Sequence, residues 1–241
     1  MATMSPRKAG GSSRQAVYDS LRRRILGLEL APGTALSEND LAAEMGVSRT
    51  PVRESMILLS EEGLVQVFPK VGTFVSRVDA GRVADAQFLR EAVELSALDD
   101  VPVSPDPDLV AALRENLAQQ QVPDIDREEF FRLDEEFHHH LMSLSGHGNS
   151  WSAVASAKGH LDRARRLGLY DAASPRPFID QHADVLGAVL SGDTEAARAT
   201  LRGHLRAVFE DVERIRRRSP ELFAADPHAV PVRRSVAVWG N

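Results

Sequence analysis

Met45-Gly46-Val47-Ser48-Arg49-Thr50-Pro51-Val52-Arg53-Glu54 is the stretch that decides how the first third of the chain folds. Gly46 reads as the C′ stop of one helix, and Ser48, two positions on, as the N-cap of the next. Pro51 then falls in the first turn of that second helix, where backbone N–H groups have no intrahelical acceptor to lose. Two helices joined by so short a turn predict a helix-turn-helix. Upstream, Ser37 can cap the first helix with Asp40 at N3 partly imitating a capping box, and the helix runs through Leu41 and Met45. In the second helix Val52, Met56 and Leu59 recur at i, i+4, i+7 as a buried stripe. Arg49 and Arg53 are also four apart, lie off that stripe, and have Thr50 beside them. A helix so arranged can enter the major groove, its first turns at base edges and its guanidinium groups on guanine or phosphate. The partner implied is duplex DNA.

Working outward, Gly63 stops the second helix, and Leu64-Val65-Gln66-Val67-Phe68, Pro69-Lys70-Val71-Gly72 and Thr73-Phe74-Val75-Ser76 read as strand, basic tip and strand. A hairpin directly after a recognition helix is a wing, in which Lys70 and the backbone at Gly72 can approach phosphate or the minor groove. Val17, Leu21, Ile25 and Leu28 supply the apolar face of an initial helix, and Pro32-Gly33 turns the chain toward Ser37. The unit spans residues 14–77, preceded by a Pro-, Gly- and Ser-bearing arm, residues 1–13, expected to be disordered.

The run Leu30-x-Pro32-Gly33-x-x-Leu36-Ser37-Glu38-x-x-Leu41-Ala42, followed by Gly46 to Glu54 and Glu62-Gly63-Leu64-Val65, resembles the N-terminal domain of GntR-family transcription regulators. The resemblance covers nearly the whole domain and implies that Ser48, Arg49, Thr50 and Arg53 contact DNA, with Gly72 in the wing. The chain departs from some members at Asn39, where they carry an arginine after the Ser-Glu pair; a phosphate contact there is weakened or lost.

Composition is compatible once charge is divided along the chain. The whole carries 29 Lys and Arg against 35 Asp and Glu, net −6. Residues 1–77 hold 10 of the basic and 8 of the acidic residues, net +2, leaving 19 against 27, net −8, for the rest. The acidic part is not built to meet phosphate. With no cysteine, disulfides and thiolate metal sites are excluded, and oxygen and imidazole remain as ligand chemistry. The first residues lack the apolar core of a secretory signal and no run approaches a membrane span, so the expected location is the cytoplasm.

From Asp79 onward strand-like alternation gives way to helical periodicity. Helices are expected near 79–99, 106–121, 126–145, 150–170, 175–191 and 193–217, with breaks at Pro102 to Pro107, Val122-Pro123, Gly146 to Asn149, Ser174-Pro175 and Gly192-Asp193. The fold class is therefore mainly α: a winged helix-turn-helix, then an all-α antiparallel bundle over residues 78–218. Residues 219–241, broken by Pro220, Pro227 and Pro231 and ending in Val236-Ala237-Val238-Trp239, are expected to be a disordered tail, or else a strand or plug that orders on docking.

Bundles build sites from facing side chains. Asp134 and His138 are four apart on the third bundle helix, His182 follows 44 residues later on the fifth, and His204 another 22 later on the sixth. One carboxylate and three imidazoles suit a divalent ion of borderline hardness, zinc first, with nickel or manganese as alternatives. His139 and His140 point about 100° and 200° around the helix from His138 and cannot share its ion. His147, in a Gly-flanked loop, and His228, in the tail, carry no such pattern. Asp134-x-x-x-His138 with His182 and His204, together with Arg90 and Glu94, Phe137, Leu141, Asn149 and Gly192-Asp193, resembles the FCD domain of the FadR subfamily of these regulators, over residues 80–217.

That resemblance implies a metal site that receives a metabolite carboxylate. Arg90, Arg163 and Arg166 are candidates for gripping a second anionic group, and His160 for lining the same cavity. Two heads reading half-sites of a near-palindromic operator imply a homodimer, acting as a repressor or an activator. Two rivals stand beside this effector-controlled regulator: a metal-dependent hydrolase, for which Glu135 and Glu136 would have to serve as base, and a pure metal-ion sensor.

Overall fold

The computed structural model describes residues 10–172 and 174–224. They form two compact units, one comprising the chain up to Asp79 together with the residues from Ser219 on, the other Ala80–Arg218.

In the first unit, α1 (Gly10–Leu26) is followed by a two-residue strand β1 (Ala35–Leu36), α2 (Glu38–Glu44), α3 (Arg49–Glu61), β2 (Val65–Phe68) and β3 (Gly72–Val75). The helix-turn-helix punctuation works as its residues dictate. The Ser37 hydroxyl accepts the Asp40 N–H at 3.3 Å, and Gly46 takes a left-handed φ of 65°, which lets the chain leave α2 within two residues. Ser48 occupies the N-cap of α3 with extended backbone, but its hydroxyl makes no capping bond. Val52, Met56 and Leu59 of α3 pack with Val17, Leu21 and Ile25 of α1. Leu21 and Leu59 are wholly buried, so each contributes the full transfer energy of an aliphatic side chain, about 1.5–3 kcal/mol. The expected hairpin pairs Val65 with Val75 and Phe68 with Gly72. Its outer edge is covered by β1, which pairs Ala35 with Phe74, giving a three-stranded sheet in the order β1-β3-β2.

Two expectations at the ends of this unit are corrected. The first helix begins at Gly10 rather than after residue 13. The stretch after residue 218 is not wholly a loose tail: Pro220–Leu222 forms a 3₁₀ turn, the Val78 N–H donates to the Leu222 carbonyl and the Ala224 N–H to the Val78 carbonyl, both at 2.9 Å. Leu222, Phe223 and Val78 are buried. A disordered segment would forfeit that burial and those bonds. His228 and the remaining tail lie outside the described residues.

The second unit is helical throughout: α4 (Ala80–Asp99), α5 (Pro107–Gln120), α6 (Arg127–Leu144), a 3₁₀ turn (Gly148–Ser150), α7 (Trp151–Ala157), α8 (Gly159–Asp171), α9 (Arg176–Ser191) and α10 (Thr194–Arg218). Where a single helix over 150–170 was expected, the chain breaks between α7 and α8. Lys158 stands at the break with φ −95° and ψ 15°. Its ammonium is buried against both carboxylate oxygens of Asp162 at 2.8 Å and against Glu135, an arrangement a continuous helix with an outward lysine would not give. Asp106 and Asp126 cap α5 and α6, and Gly192 at φ 75° ends α9. The core gathers Leu95 and Leu98 from α4, Leu113 and Leu117 from α5, Phe137 and Leu141 from α6, Val185 and Val189 from α9, and Leu201 and Leu205 from α10. The polar residues that interrupt this core make the site.

Candidate functional site

At the start of α3, Ser48, Arg49, Thr50 and Arg53 are all exposed. Glu38 of α2 pairs with Arg49 at 3.0 Å and stands 3.8 Å from Arg53. Pairs this open to water are worth about 0–1 kcal/mol, so both guanidinium groups remain accessible at the surface of α3. At the wing tip Lys70 is exposed with φ 66° and Gly72 has φ 147°. The tight turn turns the lysine and the bare glycine backbone outward together.

In the helical unit Asp134, His138, His182 and His204, all buried, offer ligand atoms that lie within 4.8 Å of one another. His204 Nε2 stands 3.1 Å from His138 Nε2 and 3.2 Å from His182 Nε2. Asp134 Oδ1 is 3.5 Å from His182 Nε2 and 3.9 Å from His204 Nε2. Ligands about 2.1 Å from a shared ion stand about 3.0 Å apart at a right angle and about 3.4 Å apart at the tetrahedral angle; the two His204 contacts fall in that range, and the Asp134 oxygen stands farther out.

The other ring nitrogens explain why the Nε2 atoms converge. His138 Nδ1 meets Glu94 Oε2 at 2.6 Å, His182 Nδ1 meets Gln120 Oε1 at 2.8 Å, and His204 Nδ1 meets Gln181 Oε1 at 2.9 Å. Each acceptor claims the Nδ1 proton and leaves an Nε2 lone pair facing the cluster, the arrangement that orients histidine toward a metal. The Gln120 amide is fixed in turn, since its Nε2 donates to Asn116 Oδ1 at 2.7 Å while Asn116 Nδ2 donates to the Leu133 carbonyl at 3.0 Å. Glu94 is held by Arg90 Nε at 2.6 Å.

Electrostatics agree with the geometry. Burial pushes His182 down to about 3, against a smaller opposing pull from Asp134, and burial, reinforced by His182 and His138, takes His204 well below its ordinary value. Burial would raise Asp134, but Arg165, His138 and His182 outweigh it and hold the carboxylate well below its usual range. Two imidazoles kept from protonating by burial, the His138 ring and one carboxylate, with ring nitrogens 3.1–3.2 Å apart, form a donor set that a divalent cation fits.

A cavity adjoins the cluster, lined at one end by Arg90, Asp134, Arg165 and His204. Of the arginines expected there, Arg90 is present, while Arg163, Arg166 and His160 are not among the lining side chains. Arg163 is wholly buried and its Nη2 lies 3.0 Å from His160 Nδ1. Burial, then Arg82, pushes it down to about 9. Arg166 lies over the Phe131 ring at 3.6 Å and bonds Glu128 at 3.1 Å. Arg165 takes the place assigned to them, pairing with Asp134 and with Glu135 at 2.6 Å. The helix phase decides: Arg165 and Leu169, four apart, line the cavity, while Arg166 and Arg163 stand about 100° and 160° around the helix from Arg165. The glutamines and Asn116 carried no motif that sequence reasoning could have used. Glu135, the hydrolase's candidate base, is ion-paired to Lys158 and Arg165; burial would raise it, but those two cations hold it down to about 2.

Comparison with known proteins accords with both halves. Residues 13–75 match the family described as bacterial regulatory proteins, gntR family, and residues 85–207 match the FCD domain. An HTH-type transcriptional regulator in an unstable DNA locus of Streptomyces ambofaciens is 64% identical over 230 residues, 95% of this chain and 98% of that protein. The HTH-type transcriptional repressor RspR of Escherichia coli is 31% identical over 215 residues, 88% of this chain and 94% of its own. Among solved structures, a chain from Rhodococcus sp. RHA1 assigned as a GntR transcriptional regulator is 25% identical with a TM-score of 0.66, covering 84% of this chain and 98% of that one. Its relatives are transcription regulators rather than enzymes. The chain belongs to the GntR family of transcriptional regulators, a helix-turn-helix domain followed by an FCD domain.

Proposed function

We propose that this regulator binds a near-palindromic operator as a homodimer in the cytoplasm and that a small organic acid, received at a divalent-metal site in the helical unit, sets its operator affinity. Ser48, Arg49, Thr50 and Arg53, with Lys70 and Gly72 in the wing, are assigned to DNA; Asp134, His138, His182 and His204 to the metal, zinc before nickel or manganese. The observation that carries the reading is the pairing of three buried Nδ1 atoms with Glu94, Gln120 and Gln181, which leaves the three Nε2 atoms for the cluster, where the four ligand atoms lie within 4.8 Å of one another.

A divalent ion there supplies a positive centre only partly neutralised by Asp134, and so a site for a carboxylate. The protein's own residues do the rest. Gln120 and Gln181 keep the rings oriented, Glu94 does so from Arg90, and Arg90 and Arg165 add charge-assisted donors beside the site. These residues come from α4, α5, α6, α8, α9 and α10, so a ligand that draws them together changes helix spacing. The chain enters this unit at α4 and leaves it at the end of α10, which makes those helices the covalent route to the DNA-reading unit. A coupling of about 1–3 kcal/mol gives a useful switch.

The test is titration of the purified dimer with zinc and with carboxylates while operator release and substrate turnover are followed. Response to acid at constant zinc supports the proposal. Response to zinc alone makes the protein an ion sensor, and neither response refutes effector control. Elemental analysis of protein purified without chelator, with His204→Ala as comparison, tests the ligand set: metal retained by the variant refutes it.

A further inference from the structure

Beyond the polar end of the cavity, the wall changes character. Phe130, Phe131, Leu169, Phe178, Leu205 and Val208 line it, and Asp211 stands at the far side. On α10 the lining residues His204, Leu205, Val208 and Asp211 span two turns, about 10 Å along the axis. Arg165 and Leu169 on α8, and Asp134 and Phe130 on α6, repeat the same step from charged to apolar within one turn. Phe130, Phe131 and Leu169 are buried against one another, Phe178 lies edge-on to the His204 ring at 6.1 Å between centroids, and 6.5 Å from Phe130. At the polar end Arg90 is 1% exposed, and its Nη2 has no hydrogen-bond partner among the described residues. A buried guanidinium N–H without an acceptor costs stability unless a ligand supplies one.

The geometry points to an aromatic monocarboxylate as the effector: its carboxylate at the metal end with Arg90 and Arg165, its ring between Phe131, Phe178 and Leu205, and no second acid at the end held by Asp211. This rests on the carboxylate-at-metal reading and adds the chemical class. A polyhydroxylated acid would bury hydroxyls against phenyl and leucine side chains without partners. A dicarboxylate of matching length would set its second charge against Asp211, whose partner Arg214, at 2.6 Å, is on the same helix. Like charges so placed repel. The cavity is small, about 40 Å³, room for a few waters, so a ring enters as one wall side chain turns. Phe178, only half-buried near the start of α9, is the wall placed to do so.

The experiment is calorimetric titration of the full-length, zinc-loaded protein, and of chelator-treated protein, with acetate, benzoate, succinate, gluconate and terephthalate. Benzoate is expected to bind at least tenfold more tightly than acetate, succinate or gluconate, to require zinc, and to outbind terephthalate. Phe178→Ala should reduce benzoate affinity at least tenfold and leave acetate unchanged, while Asp211→Asn should raise terephthalate affinity and not that of benzoate. Zinc-dependent binding in which succinate or gluconate exceeds benzoate overturns the aromatic assignment and leaves the carboxylate reading standing. Absence of zinc-dependent binding by every acid overturns both.

Discussion

Replacing Gln120 by Leu should weaken zinc binding although it leaves the four ligands in place. Gln120 is wholly buried and holds His182 Nδ1 at 2.8 Å, its amide orientation fixed by Asn116 at 2.7 Å. Leucine preserves the bulk and removes the acceptor, so the His182 ring loses both its preferred tautomer and its orientation. Outer acceptors of this kind are worth about 10–100-fold in metal affinity, or about 1.4–2.8 kcal/mol. The same substitution strands Asn116 Oδ1 and His182 Nδ1, each at a cost of about 1–3 kcal/mol to the fold, so affinity must be read well below the melting transition. Gln181 provides the internal control. It makes the equivalent bond to His204 Nδ1 at 2.9 Å but is only half-buried, and water can take its place, so Gln181→Leu should stay within about threefold of the unaltered protein. Competition against a chromophoric zinc chelator at neutral pH measures both. Unchanged affinity in Gln120→Leu, or equal losses in the two variants, would refute the argument that buried acceptors aim these rings.

Arg49→Ala should lower operator affinity by about 1–3 kcal/mol and reduce the salt dependence by about one counterion if the contact is to phosphate; unchanged gel-shift titrations would remove α3 from the interface. Gly168→Ala should lower the melting temperature, because a Cβ there would stand 2.4 Å from Asp211 Oδ2 and 3.0 Å from its Cβ, forcing α8 from α10 at about 1–3 kcal/mol; an unshifted melt would show that Asp211 swings aside freely. In chelator-treated protein, stability should fall as pH drops below about 6.5. Burial keeps His182 from protonating until about pH 3, so between those values the unfolded chain binds the proton and the fold does not. Glu94 acts in the same direction further down: burial would raise it, but Arg90 and His138 hold it at about 2 against 4.5, so stability present above 4.5 is lost toward 2. A melting temperature flat from pH 7 to about pH 4 would contradict the first, and one flat from about pH 4.5 down to 2 the second.

The DNA-reading unit was legible because punctuation residues fix it. Gly46, Pro51 and Gly63 each leave the backbone few alternatives, and three such positions within 18 residues admit almost one arrangement. The strand Ala35–Leu36 left no trace, since two residues cannot display an alternation. In the bundle, Asp134 and His138 could be placed on one face from their spacing, but nothing in a helix distinguishes a glutamine that orients a histidine from one that faces water. Arg163, Arg165 and Arg166 illustrate the same limit from the other side. Three arginines within four residues point in three directions, and choosing among them requires the helix phase, which the break at Lys158 resets. Lys158, which stands at that break, reaches Glu135 on α6, a contact between residues 23 apart that helical spacing does not reveal.

The segment after Arg218 returns the chain from the second unit to the first. An unstructured tail would leave one covalent crossing, between Asp79 and Ala80, and α10 would end without consequence. Instead α10 runs unbroken from Thr194 through His204 to Arg218, and the residues that follow are built into the first unit by backbone bonds between Val78 and both Leu222 and Ala224 and by Arg77 Nε donating to the Glu221 carbonyl at 2.7 Å. Residue 78 is therefore within two positions of one crossing and bonded to the strand-like segment that forms the other. The helices that leave these crossings are α4, with Arg90 and Glu94, and α10, with His204. Under the proposed effector control, a change in their spacing at the histidine cluster would have two covalent routes to the first unit rather than one.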